Sequence, residues 1–351
     1  MRKTLTDLAG YLKLILVPAT DQTYAIKPIF ECVAGSEKIQ EGILVYRTFL
    51  CRLYDELELA GDVYDTSKKV AHEYENRTCL SVYFPFLNNV NTILKNIGYY
   101  GVLAENAGAL TCNNMIFSDK LSAAKNLECL RFLAKCGICM EGVDLNDTKQ
   151  KLSDIRFVKV TYPQNQAMLT GWKALAIAET DHRTLANQDV LLRCDYRVLK
   201  QEETDVASIV QDTIKPLPSD VQDFVLYLHQ RYLDQGLTCV VEVKGFHIYI
   251  RYCYKRKDVW GINASLNNGY HINVKAIWTP EYADIIKGFH PELREIIAKG
   301  YGCGRKRAEI GHCDGGCRGL LIPLDDTVSD LQDDIVSWFD LELSGLQRKR
   351  A

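Results

Sequence analysis

The apolar positions between Ser219 and Trp278 change period once, and the rest of the chain can be read against that change. Val221, Phe224, Val225, Leu228 and Tyr232 recur at three- and four-residue spacing and predict one amphipathic helix. Pro218-Ser219-Asp220 ahead of them joins a turn breaker to side-chain oxygens suited to cap the first amides. Gly236 predicts the end, because glycine takes the left-handed conformation without penalty. The period then drops to two. Thr238 to Val243 and Phe246 to Tyr254 alternate on either side of a Lys244-Gly245 turn, and a third strand is predicted over Val259 to Ser265. Asn267-Asn268-Gly269 is a hairpin signal leading into a fourth strand, Tyr270 to Trp278. Phe246, Ile248, Ile250, Tyr252 and Tyr254 fall on one face of the second strand, and His247, Tyr249, Arg251 and Cys253 on the other. In the fourth strand Tyr270, Ile272, Val274 and Ala276 oppose His271, Asn273 and Lys275. The expected module is a helix on an antiparallel meander, apolar on one side and mixed on the other.

The same plan recurs more weakly upstream. Leu80 to Phe84 reads as a short strand, and Pro85 suits a first helical turn. Leu87, Val90, Leu94 and Ile97 form a stripe that Gly98 is expected to close. Gly101 to Glu105 and Ala109 to Cys112 predict a hairpin around Asn106-Ala107-Gly108. The matching order of helix, glycine, strand, turn and strand suggests an internal duplication. A helix over Ser122 to Lys135 follows, then strands near Arg156–Thr161, Trp172–Ala178 and Asp189–Tyr196.

Ahead of all this the chain reads as helical. Leu5, Leu8, Leu12 and Leu16 make one stripe, and Ile39, Ile43, Tyr46, Leu50, Leu53 and Leu57 make a longer one that Gly61 is expected to end. After the meander come helices over Pro280–Lys287 and Pro291–Lys299, a loop from Gly300 to Gly319, a strand at Leu320–Pro323 and a last helix over Ser329 to Leu341. The fold class is therefore α+β. A helical N-terminal segment (1–75) precedes a first module (76–205) and a second module with a Cys/Gly-rich loop (215–351), the acidic stretch Gln201 to Ser219 marking the boundary. The N-terminal helices are expected to pack or to form a homodimer interface.

Charge and composition narrow the partners. A net charge of -3 over 351 residues provides no field for nucleic acid or an anionic membrane. No apolar run reaches the ~18 to 20 residues of a membrane span. Asp7 and Lys13 interrupt the one N-terminal stretch that resembles a signal sequence. The cysteines number 13, an odd count, and many sit in apolar periodic runs (Cys32, Cys51, Cys129, Cys194, Cys239). That usage fits buried free thiols in a reducing cytoplasm better than a disulfide framework.

Three features carry candidate chemistry. In the loop Tyr301 to Gly319, Cys303, His312, Cys313 and Cys317 are soft ligands separated by glycines, a pattern able to wrap a tetrahedral zinc. The spacing matches no familiar zinc signature, and Cys253 is an alternative fourth ligand to His312. Arg305, Lys306, Arg307 and Arg318 in the same loop could instead cradle an anion, or the loop could be a tight turn with packed cysteines. The mixed sheet face, His247, Tyr249 and Arg251 with His271 and Lys275, could line a ligand cleft or simply face water. Cys136-Gly-Ile-Cys139 follows a helix rather than starting one, so the dipole disfavours a thiolate and a redox role. The nucleophile elbow, the H-E-x-x-H helix and the phosphate loop are all missing from the sequence.

Residues from about Asp220 to Leu343 resemble a bacterial family catalogued as domain of unknown function 3788. The likeness rests on the helix, the meander containing Val259-Trp260-Gly261 and Asn268-Gly269-Tyr270-His271-Ile272, and a terminal helix with Trp338-Phe339. It covers about a third of the chain, and the Cys/Gly loop departs from it. That family carries no assigned activity, so the resemblance implies no function. The whole chain looks like uncharacterised proteins of Gram-positive anaerobes, which implies a cytoplasmic bacterial setting. The function expected is a non-enzymatic module binding a small molecule or a protein, with a structural metal in the 303–317 loop. The alternative is an enzyme with Cys313 or Cys317 as thiolate and His312 as base.

Overall fold

In the computed structural model of the chain the described residues are 3–64, 84–181, 189–244, 246–266, 268–299 and 319–348. They form an α+β structure with two antiparallel sheets, divided into two compact units. One unit takes in Met1–Thr204 with Val243–Phe246, the other Asp205–Glu242 with His247–Ala351. The N-terminal helices thus belong to the same unit as the first sheet.

The first unit is built on helix packing. Helix α1 (Leu5–Ile15) starts at a capping box in which Thr4 and Asp7 exchange hydrogen bonds, and Leu5, Leu8 and Leu12 are buried as the stripe requires. Helix α2 (Ser36–Tyr64) buries Ile39, Ile43, Tyr46, Leu50, Leu53 and Leu57. It passes through the expected stop at Gly61, with a kink at Ala60 (φ -127°). Gly61 answers to packing instead: a Cβ there would lie 2.4 Å from Thr6 Oγ1. Helix α3 (Pro85–Tyr100) repeats the pattern, running past Gly98, where a Cβ would meet Ala176 Cβ at 2.5 Å. The expected strand at Leu80–Phe84 lies almost wholly outside the described residues.

Strands β1 (Val102–Leu103) and β2 (Leu110–Cys112) form the anticipated hairpin, with Ala107 at φ 56° in its turn. Helix α4 (Ala123–Lys135), N-capped by Ser122, leads to β3 (Cys139–Glu141) and β4 (Val158–Thr161). The sheet order is β1-β2-β4-β3.

Two expectations are corrected here. Trp172–Ala178 is not a strand but the middle of helix α5 (Met168–Asp181), buried on every side from Met168 to Glu179 apart from Lys173 and Ile177. A fully buried helix and a fully buried strand both read as continuous apolar runs, and period does not separate them. Asp189–Tyr196 is likewise a single helical turn, α6 (Val190–Arg193), held between left-handed Asp189 (φ 59°) and Cys194 (φ 51°). Trp172 anchors this core, its ring centroid 6.3 Å from Tyr46 and its indole N–H donating to Leu94 O at 2.9 Å.

The second unit begins with α7 (Val206–Ile214) and α8 (Ser219–Asp234). No side chain caps α8; the Asp220 carboxylate accepts from Ser329 Oγ instead. Gly236 (φ 83°) follows the helix as anticipated. Strands β5 (Thr238–Lys244), β6 (His247–Tyr254), β7 (Lys257–Ser265), β8 (Gly269–Lys275) and β9 (Gly319–Pro323) lie side by side in chain order. This meander differs from the first sheet in strand number and order. Helices α9 (Ala283–Ile286), α10 (Pro291–Lys299) and α11 (Gln332–Arg348) complete the unit. The apolar face packs against α8 and α11. Tyr252 stacks on Trp260 at 3.9 Å, and Trp260 stacks on Phe339 at 5.5 Å.

Candidate functional site

A cleft of about 720 Å³ opens in the first unit between residues Cys32 to Lys38, Val102 to Ala107 and Lys173. Its walls come together because α2 and α5 cross almost backbone to backbone. A Cβ on Gly42 would lie 2.4 Å from Ala167 O, and one on Gly171 would lie 2.3 Å from the Gly42 carbonyl carbon. Thr170 ties the crossing, its hydroxyl within 2.8 Å of Lys38 O and of Ala167 O. The first turn of α2 and Lys173 are thereby fixed on one side of the cleft.

Lys173 is half-buried and points at the end of α3. Its ammonium donates to Gly101 O at 2.5 Å, with Gly98 O and Tyr99 O each at 3.4 Å, and so satisfies carbonyls that the helix leaves free. Burial lowers its pKa, opposed by the Cys112 and Cys32 thiols. Cys32 is exposed, its thiol donating to Ile29 O at 3.3 Å. Val102, Leu103 and Ala104 of the sheet form the facing wall. Glu37 and Glu105 balance Lys38 and Lys173, so the lining favours neither sign of charge.

The mixed face of the second sheet is more closed than its sequence suggests. Tyr249 pairs with Asn263 and Asn263 with His271, forming a polar row across β6, β7 and β8. His271 is only 4% exposed and Asn263 9%. Asn263 Nδ2 donates to His271 Nε2 at 3.2 Å. His247 Nδ1 and the Tyr249 hydroxyl share a hydrogen bond at 2.8 Å. Burial pushes both imidazoles down to about 4. For His271 the Gly269 carbonyl opposes this, and His247 adds to it. Both rings are therefore neutral at pH 7. Arg251 is held by Glu242 and, at 3.2 Å, by Asp258. Lys275 is half-buried and also has a partner. This side of the sheet brings His247, Tyr249, Arg251 and His271 together as an internally bonded polar layer.

Cys303, Arg305, His312, Cys313, Cys317 and Arg318 lie outside the described residues. Among the described residues no group of three or more His, Cys, Asp or Glu side chains is arranged to hold a metal. Burial pushes the thiols of Cys112, Cys129, Cys136 and Cys253 up to about 12, far from the thiolate a nucleophile needs. Cys253 also donates to Asp258 at 3.2 Å. Of the CxxC pair, Cys136 is buried and Cys139 exposed.

Sequence reasoning missed the cleft entirely. Its three walls are far apart along the chain, and each alone reads as a turn, a strand end or a helix surface. Compared with known protein families, curated proteins and solved structures, the chain matches none.

Proposed function

We propose that this chain is a non-enzymatic binding protein whose ligand lies in the cleft of the first unit. The observation that carries the reading is the cleft itself. Its volume of about 720 Å³ falls in the ~300–1,000 Å³ range of small-ligand sites, and its walls are held by the Gly42–Gly171 crossing. The polar layer of the second sheet supports a structural role for His247, Tyr249, Arg251 and His271, since their hydrogen bonds are made to one another and to neighbouring strands. A thermal-shift screen of metabolites and short peptides, run on wild type and Ala34→Trp, tests the proposal. A ligand that raises the melting temperature of wild type and not of the filled variant supports it. Equal responses from both proteins place binding elsewhere and overturn it.

The metal in the 303–317 loop remains part of the proposal on its sequence alone. Protein purified without chelator should carry about one zinc per chain, lost in Cys313→Ser, by elemental analysis. A metal-free wild type removes this part. Nine free cysteines among the described residues favour a reducing, cytoplasmic setting, and no helix there is long and apolar enough to cross a membrane. A homodimer through the N-terminal helices would have to use Leu14, Leu44, Leu59 and Val63, which α1 and α2 leave exposed.

A further inference from the structure

We propose that the occupant of the cleft is an extended peptide segment of a partner protein, paired as an added strand on the outer edge of β1; this rests on the reading of the cleft as the binding site. Among the described residues β1 is the terminal strand of its sheet and pairs on one side only, with β2. Ala104 N donates to Ala109 O at 2.9 Å, so residue 104 faces β2, and the two-residue alternation turns Val102 the same way. The N–H and C=O of Leu103 therefore point away from β2. Leu103 is also a wall of the cleft.

Exposed edges normally carry a lysine, a proline or a bulge that blocks pairing. The edge Val102-Leu103-Ala104 has none of these, but its ladder is two residues long, so it offers a partner the outward N–H and C=O of Leu103 alone; Val102 beside them is 67% exposed. An apolar edge beside a cleft admits strand addition, where main-chain bonds supply affinity. The charges agree. Glu37 and Glu105 offset Lys38 and Lys173, and the Lys173 ammonium already faces the carbonyls that end α3. The lining therefore carries no net charge that would select an ionic ligand, and a neutral peptide backbone needs none.

Leu103→Pro tests this, because it removes the outward donor while leaving the bonds to β2 in place. A random twelve-residue peptide library displayed on phage is selected against the full chain. Enriched peptides are then measured on wild type, Leu103→Pro and Val102→Lys, each first shown by circular dichroism to melt like wild type. The expected result is at least tenfold weaker binding to both variants, with the Leu103 amide gaining protection from hydrogen exchange in wild type. If Leu103→Pro does not fold, Val102→Lys and the Leu103 exchange measurement decide alone. Peptides that bind all three proteins equally, or an unprotected Leu103 amide, overturn the proposal. So does a library without binders when a metabolite stabilises wild type but not Ala34→Trp, although the cleft reading then stands. Binders of neither kind overturn both.

Discussion

A Cβ placed on Gly171 would sit 2.3 Å from the carbonyl carbon of Gly42, so α2 and α5 meet where neither helix has a side chain. Side chains normally hold helix axes about 8–10 Å apart. The pair of glycines removes that spacer and sets Lys38 and Lys173 on neighbouring turns beside the cleft. Gly171→Ala and Gly42→Ala should each cost about 1–3 kcal/mol in urea denaturation, since backbone, not a flexible side-chain end, must move. Gly35→Ala, whose added Cβ meets nothing within 4 Å, should stay within about 0.5 kcal/mol of wild type. Equal stability of all three would show that the crossing is looser than described.

Lys173 is the cation at the end of α3. Lys173→Met leaves the Gly101, Gly98 and Tyr99 carbonyls without it and should cost about 1.5–3 kcal/mol, the worth of hydrogen bonds to a charged donor. Lys173→Arg keeps the charge and should lose less. Hydrogen exchange at the last turn of α3 would report the loss locally; unchanged protection in the Met variant would contradict the capping role.

The histidine His271 gives the second unit an acid-side weakness. Its folded pKa of about 4 lies below the unfolded value of 6.5, so between those values the unfolded chain holds more protons. Stability should be fully present above pH 6.5 and fall as pH drops towards 4, by an amount on the order of 3 kcal/mol. His271→Asn cannot take up the proton. Its denaturation midpoint should change less with pH over that window than wild type's. Parallel pH dependences in the two proteins would assign the effect to other groups, His247 first.

Trp260 lies between Tyr252 and Phe339 and is fully buried. Trp260→Ala should destabilise the second unit by about 3–5 kcal/mol. A double-mutant cycle with Tyr252→Leu should give a coupling of about 0.5–1.5 kcal/mol for the stacked pair. A coupling near zero would mean that area burial alone accounts for the contact.

Much of the fold was legible as pattern. The α8 stripe Val221 to Tyr232, the strand alternation around Ile250 and the Asn-Gly signal before β8 are local, because period and turn chemistry act over a few residues. Pattern failed where burial was complete. Along Met168 to Glu179 only Lys173 and Ile177 are not buried, which leaves almost no polar face to mark a period, so α5 read as a strand. Gly61 and Gly98 misled for a related reason. A glycine chosen for close approach and one chosen to end a helix are the same letter, and only Thr6 and Ala176, distant in sequence, distinguish the uses.

The sequence by itself therefore determined the α+β class, most element positions, the buried stripe of each amphipathic helix and the two-faced character of the meander. These follow from short-range periodicity and from the transfer of apolar surface out of water. Tertiary structure alone decided that His271 and Asn263 are buried, and that β1 is an edge among the described residues. It also decided that Cys32, Leu103 and Lys173 share one cleft. Such facts depend on which backbones approach across long stretches of chain, and a residue's neighbours along the sequence carry no record of that approach.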